Sequence, residues 1–279
     1  MDHEIPFHRL PPGFAESLDR PPESPAVPRP AATILMLRDG PGGMETLMLR
    51  RTRRSGFVPG AWVFAGGRVD AADGAPEVAS RLRGLTPQEA ARRLELHPKA
   101  RPPGVAYFVA ALREAFEETG LLVGVGPGGE PARGAGDAPE IARIRDRLLA
   151  DEIDFGEALD ALGVELQGGA IEYVAHWITP VQEPRRYDTR FFAAAVPRER
   201  RVLLHPAEMT DARWLTPAAA LEVHREGGLP MVFPTIRTLE ELVDFQTVDS
   251  ALAAYGERTI PAILPRLVKT PTGVGLEIP

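Results

Sequence analysis

Apolar residues recur along this chain at two periods, and the switches between them outline its elements. A largely apolar strand over 31–37 and a return strand over 45–50, with Leu47, Met48 and Leu49 at its centre, flank the turn cluster Asp39-Gly40-Pro41-Gly42-Gly43, which predicts a β-hairpin. Trp62-Val63-Phe64 predicts a short strand that enters a turn at Gly66-Gly67, and further strands are expected over 171–178, 189–196 and 212–215. Near residue 105 the period becomes helical. Val105, Phe108, Val109, Leu112, Phe116 and Thr119 stand three and four apart and form one apolar stripe. Helices are also expected over 140–150, 154–163, 217–226, 234–245 and 250–257. Thr86-Pro87-Gln88-Glu89 reads as a capping box with proline at the first helical position, opening a helix to about residue 96. Asp154 with Glu157 offers a second cap of this kind. Residues 1–30 are proline-rich, lack a period and read as a loose tail; 124–139 read as a loop, and 263–278 as a short hairpin.

The helix with the stripe carries three carboxylates on its other side. Glu114, Glu117 and Glu118 fall within five residues, at spacings that place them on a common face. One side of this helix is therefore expected to be buried and the other to present a dense negative patch, with Gly120 ending the helix. Like charges at helical spacing repel unless something neutralises them. Mg²⁺, a hard ion that takes carboxylate, water and phosphate oxygens, would do so. Taken alone, the triplet fits a solvated acidic face equally well.

Composition narrows the chemistry. The 279 residues are 44% hydrophobic and 25% charged, ordinary for a globular chain that buries a substantial core. A formal charge of −7 disfavours generic nucleic-acid binding and leaves a small phosphorylated ligand open. With no cysteine there is no disulfide, thiolate metal site or thiol nucleophile. No apolar run reaches membrane-spanning length, the N-terminus lacks a signal-peptide core, and Leu276-Glu277-Ile278-Pro279 is not a peroxisomal address. A cytoplasmic protein is the default expectation.

The segment from Arg113 to Leu121, REAFEETGL, resembles the second half of the Nudix box, G-x5-E-x7-R-E-U-x-E-E-x-G-U, where U is a bulky apolar residue. Arg113, Glu114, Glu117, Glu118, Gly120 and Leu121 fill their slots, and Ala115 is small for its own. Gly67 fills the first glycine slot, and Asp73 stands where the pattern has Glu. Thirty-nine residues separate Asp73 from Arg113 instead of seven, so an insertion splits the box. The interrupted box, the preceding Leu47-Met48-Leu49-Arg50-Arg51-Thr52 and the Gly66-to-Asp73 lead-in resemble the coenzyme A diphosphatase branch, in its peroxisomal, insertion-bearing type. Ala65 replaces the proline expected before the two glycines.

The resemblance implies an α/β fold: a Nudix α/β/α sandwich around a mixed β-sheet, over residues 31–279, with a helical insertion at about 74–104 and extra helices. It implies hydrolysis of a nucleoside diphosphate linked to another group X, dependent on Mg²⁺ with Mn²⁺ as a substitute. Coenzyme A or an acyl ester is the favoured substrate; an ADP-ribose or NADH-type pyrophosphatase and a non-catalytic nucleotide-binding module are the alternatives. The implied metal set is the Gly67 carbonyl with Glu114, Glu117 and Glu118. Arg113 is implied to orient the carboxylates and Asp73. The base that takes the proton from water is open among Glu117, Glu118 and Glu208, the last lying in the loop before a tryptophan-bearing strand. Arg51, Arg186 and Arg190 are candidate phosphate contacts and Tyr187 a candidate base-stacking ring, each weighed against ordinary packing. The insertion is expected to cover the site, to mediate a homodimer or to decorate the surface, and 138–163 to wall the substrate.

Overall fold

A computed structural model describes residues 4–9, 14–18, 22–54 and 58–278. The core of the fold is the strand β1 (Arg29–Gly40), twelve residues long and apolar on both faces. Ala32, Ile34 and Met36 point into one apolar cluster; Leu35 and Leu37 point into another. A strand buried on both sides reads as a continuous apolar run, which is what 31–37 shows.

The sheet around it is mixed. β2 (Gly43–Arg51) returns from the expected hairpin, and β3 (Trp62–Val63) pairs with its far end. β4 (Ala65–Arg68), β5 (Ile171–Ile178), β6 (Tyr187–Ala195), β7 (Met209–Leu215) and β8 (Ala262–Ile263) complete eight strands. Their order is β7-β2-β1-β6-β5-β8, with β1–β6 and β5–β8 parallel. Because β1 outruns its hairpin partner, residues 31–34 are left with an open edge, and β4 fills it. Gly66 and Gly67 therefore lie within a strand, opposite Thr33 and Ala32, rather than in the expected turn.

Helices cover both faces. The insertion supplies α1 (Pro87–Arg93), and α2 (Gly104–Thr119) lies on the first face, where the rings of Phe108 and Phe192 meet at 4.6 Å. α3 (Pro139–Leu149) and α4 (Phe155–Leu162) pack beside them. On the second face, α5 (Pro217–Arg225), α6 (Phe233–Leu242) and α7 (Val248–Gly256) bury Leu239, Leu242, Val248 and Ala251 against Leu35, Leu37 and Met48. This is the expected α/β/α sandwich. Several local signals carry through: Gly120 ends α2 at φ 71°, and Asp154 and Glu157 cap α4 reciprocally.

Three expectations change. Thr86 caps α1 by accepting from Glu89 N at 3.1 Å, but the Glu89 carboxylate turns to Arg92 and Arg93, and α1 ends at Arg93. The insertion packs on the start of α2, so closely that a Cβ on Gly104 would lie 2.7 Å from Ala91 N; none of its residues lines the cleft described below. The tail is not wholly loose: Ile5–Pro6 pairs with β10 (Gly273–Glu277), which with β9 (Arg266–Lys269) forms a small terminal sheet. The rest of the tail reading, at 1–3, 10–13 and 19–21, lies outside the described residues, as does Pro279.

Candidate active site

The two halves of the split box meet where the last turns of α2 run along the outer edge of β4. Gly66 N–H points away from β1 and donates to Glu118 Oε2 at 3.1 Å. Within a strand the N–H and C=O of one residue point to the same side, and sides alternate. The Gly66 carbonyl therefore also faces the carboxylates. Val69 N donates to Pro30 O at 3.0 Å, and this parity turns both polar groups of Gly67 toward Ala32. The carbonyl available to a metal is thus that of Gly66, which corrects the expectation for Gly67. Gly67 has a different requirement, because a Cβ there would overlap the Glu114 carboxylate. Gly67→Ala is expected to push Glu114 aside and lower kcat/KM by roughly 10²-fold, the scale for displacing a reacting group by ~1 Å. Steady-state rates beside a melting curve check this; wild-type activity in the variant would mean that the close packing is not required.

Arg113 sits at the centre of the cluster. Its fork grips Asp73, from Nε to Oδ1 at 2.8 Å and from Nη2 to Oδ2 at 3.1 Å. Nη1 donates to Glu114 Oε1 at 2.9 Å and to Glu117 Oε2 at 3.0 Å, and Nη2 donates to the Arg68 carbonyl at 2.9 Å. Asp73 is reachable despite its short side chain because a 3₁₀ turn, Ala71–Gly74, carries it inward, with Asp70 N donating to Oδ2 at 2.8 Å.

The sequence predicted a negative patch facing water. Instead Glu114 is 9% exposed and Glu118 1%. The strand edge and the loop before β7 enclose this face, and α3 closes the helix end. Arg145 of α3 is buried and donates to the Phe116 carbonyl at 2.9 Å and the Glu117 carbonyl at 2.6 Å, satisfying carbonyls at the C-terminus of α2. Desolvation consequently raises all four acids. The Glu114 carboxyl is pushed up to about 7 by burial, against the pull of Arg113, with repulsion from Glu117 adding to the rise. Burial raises Glu118 well above the ordinary range, and the charge of Glu114 adds to it, while Arg51 opposes the rise. Glu117 and Asp73 rise for the same first reason, burial, with Arg113 opposing.

Asp73, Glu114 and Glu117 thus share one buried guanidinium, Glu118 lies beside them on Gly66 N, and the donor set fits a divalent cation. Among the described residues no three His, Asp or Glu side chains already form a ligand shell, because Glu114 and Glu117 are turned onto Arg113. Glu208 joins from the loop before β7. That loop is stapled to α2 by His205 N donating to Glu118 O at 2.9 Å, and to the chain after β2 by Thr52 N donating to Glu208 O at 2.8 Å.

The cluster opens on a cleft of about 1740 Å³. Arg51, Gly66, Gly67, Arg113, Glu114, Glu117 and Glu208 line it together with Tyr187 and Arg185, the last not singled out in the sequence. The α3–α4 segment supplies only Leu148, Leu149 and Asp151 at its margin. Arg186 and Arg190, expected at phosphate, lie elsewhere. Arg186 is buried and donates to Thr179 O at 3.0 Å and Ala26 O at 2.8 Å. Arg190 pairs with Asp188 at 3.1 Å and lies over the Tyr107 ring at 4.3 Å. Strand parity explains Arg190: Tyr187, Thr189 and Phe191 line the cleft, so Asp188 and Arg190 must face the α2 side.

This sandwich, with a split REAFEETGL box gathered at one end of a cleft, defines a Nudix hydrolase. The chain belongs to the family of the NUDT19 Nudix domain, whose profile matches residues 29–242. It is 30% identical over 274 residues to the acyl-coenzyme A diphosphatase NUDT19 of Gallus gallus, covering 83% of this chain and 72% of that protein. The Homo sapiens protein of the same name is also 30% identical, over 80% of this chain and 68% of its own length. A Nudix hydrolase from Alicyclobacillus acidocaldarius has the same fold, with a TM-score of 0.64 at 28% identity over 82% of this chain and 96% of that one. Among the described residues no helix is long and apolar enough to cross a membrane.

Proposed function

We propose that this enzyme hydrolyses the diphosphate bond of coenzyme A or an acyl-coenzyme A, releasing an adenosine bisphosphate and phosphopantetheine or its acyl ester. The buried cluster of Asp73, Arg113, Glu114, Glu117 and Glu118 against β4 carries the chemistry. The choice of substrate is supported by the two relatives named above. Residues 31–279 act as one hydrolase domain.

Glu114, Glu117, Glu118 and the Gly66 carbonyl would hold the divalent cation. When bound, Mg²⁺, or Mn²⁺ in its place, supplies Lewis acidity that draws charge from the diphosphate oxygens. Arg113 opposes the upward shift of Glu114 and Glu117 and fixes their direction, as a charge-assisted fork does. Arg51 neutralises a non-bridging phosphate oxygen, and Tyr187 offers a ring to the base. Glu208, exposed on the cleft, takes the proton from the attacking water. The water oxygen bonds to one phosphorus, and the bridging oxygen departs with the other phosphate.

Assay of coenzyme A, an acyl-coenzyme A, ADP-ribose and NADH, with Mg²⁺ and with chelator, tests this reading. Chelator-sensitive release of phosphopantetheine, identified by mass, is the expected result. Mg²⁺ should also raise the melting temperature, because a ligand at 100 times its Kd adds ~2.7 kcal/mol to the folded state. Cleavage of ADP-ribose or NADH alone would discard the substrate and keep the chemistry. Nucleotide binding without turnover of any compound would leave a binding module.

A further inference from the structure

The carboxylates occupy one end of a cleft that is larger than a nucleotide's diphosphate needs. Small-molecule sites commonly span roughly 300–1,000 Å³, against about 1740 Å³ here. The remaining wall is mixed, with Glu4, Glu183, Arg185 and His224 on it, and it includes an apolar stretch. That stretch is built from Trp177 at the end of β5, Val232, Phe233 and Ile236 at the start of α6, and Leu267 and Leu276 of β9 and β10. The Trp177 and Phe233 rings meet edge to face at 5.6 Å, which gives the wall a fixed aromatic corner. None of these six side chains carries a charge, so a phosphate or a cation gains nothing from them. An apolar chain drawn from water gains with every methylene covered.

The topology explains why this wall stays open. α5, α6 and α7 cover the second face of the sheet over Leu35 and Leu37, whereas Ala31 and Thr33 of β1 and Thr189 and Phe191 of β6 line the cleft. The terminal sheet adds Leu267 and Leu276 to the same cleft. A trough of this kind, continuous with Gly66, Glu114 and Glu117, suits a long substrate hydrolysed at one end and apolar at the other.

We propose that this end of the cleft is a subsite for the acyl group of the substrate, with Phe233 and Leu267 setting a preference for longer chains over the free thiol. The inference rests on the coenzyme A reading above and adds to it the residues that select the acyl group.

The test measures kcat/KM for free coenzyme A and for its acetyl, hexanoyl and dodecanoyl esters, below micelle-forming concentrations. Wild type is compared with Phe233→Ala and Leu267→Glu. In wild type, kcat/KM should rise on the order of 2–4-fold per buried methylene until the wall is covered, mostly through KM. In both variants the ratio of dodecanoyl ester to free thiol should fall toward one. Leu267 lies half-buried on a two-faced hairpin, so its variant keeps the test alive if Phe233→Ala does not fold. A flat chain-length series in wild type, with coenzyme A still cleaved, overturns the subsite and leaves the coenzyme A reading standing. Equal KM increases for all four compounds in the variants would assign the wall to a part they share and also overturn it. Failure to cleave any of the four, with ADP-ribose cleaved, overturns both.

Discussion

Glu118→Gln is expected to lower kcat by roughly 10³-fold while making the metal-free protein more stable, and the pairing of these two effects is diagnostic. The activity loss follows from removing one carboxylate that would hold the divalent cation at the diphosphate, and losing one preorganised electrostatic contribution at a reacting group is commonly worth 10²–10³-fold. The stability gain follows from burial. Glu118 is 1% exposed, accepts one hydrogen bond from Gly66, and lies beside Glu114. Gln keeps the shape and removes the desolvated charge. The sign of the pH dependence is fixed by the same shifts. Acids whose folded pKa is raised contribute stability below their unfolded value and lose it as pH rises through the folded one. For Glu114 that window runs from 4.5 to about 7. The metal-free wild type should therefore lose stability across this range. Glu118→Gln, which removes one of the raised acids, should lose less of it. Denaturation at a series of pH values, beside rate measurements with Mg²⁺, separates the two effects. A carboxylate that only held the fold together would behave oppositely, destabilising on removal and leaving kcat nearly unchanged.

Arg113→Met should be the most destabilising single change at the site, by roughly 3–5 kcal/mol, because it strands buried carboxylates that had one shared partner. Five hydrogen bonds leave with it, to Asp73, Glu114, Glu117 and the Arg68 carbonyl. Arg113→Lys should recover little, since one ammonium cannot span Asp73 and the two glutamates as the planar fork does. Adding Asp73→Asn to Arg113→Met should restore part of the stability by removing a stranded charge, and none of the activity. Urea denaturation of the three variants measures this. Wild-type stability in Arg113→Lys would show that charge, and not the fork, is what the cluster needs.

Much of this molecule is written locally. The stripe from Val105 to Phe116, the stop at Gly120, the cap at Asp154 and the hairpin around Gly42 each depend on residues a few positions apart, and so they appear in the sequence as spacing. The box residues were legible for the same reason, and Asp73 because its slot is counted from Gly67. Strand parity could have separated Arg190 from Tyr187, since period two follows from the backbone alone.

What the sequence determined by itself, then, was which residues share a face and where each element starts and stops. Tertiary structure alone decided what those faces meet. β4 occupies the open edge of β1, and that pairing turns the Gly66 carbonyl, and not that of Gly67, toward the glutamates. Arg145, twenty-seven residues beyond Glu118 in sequence, and the loop at His205 close over the end of α2 and change a solvated acidic face into a desolvated one. Burial of a charge depends on every atom packed around it, whatever its distance along the chain, and no local spacing encodes that sum.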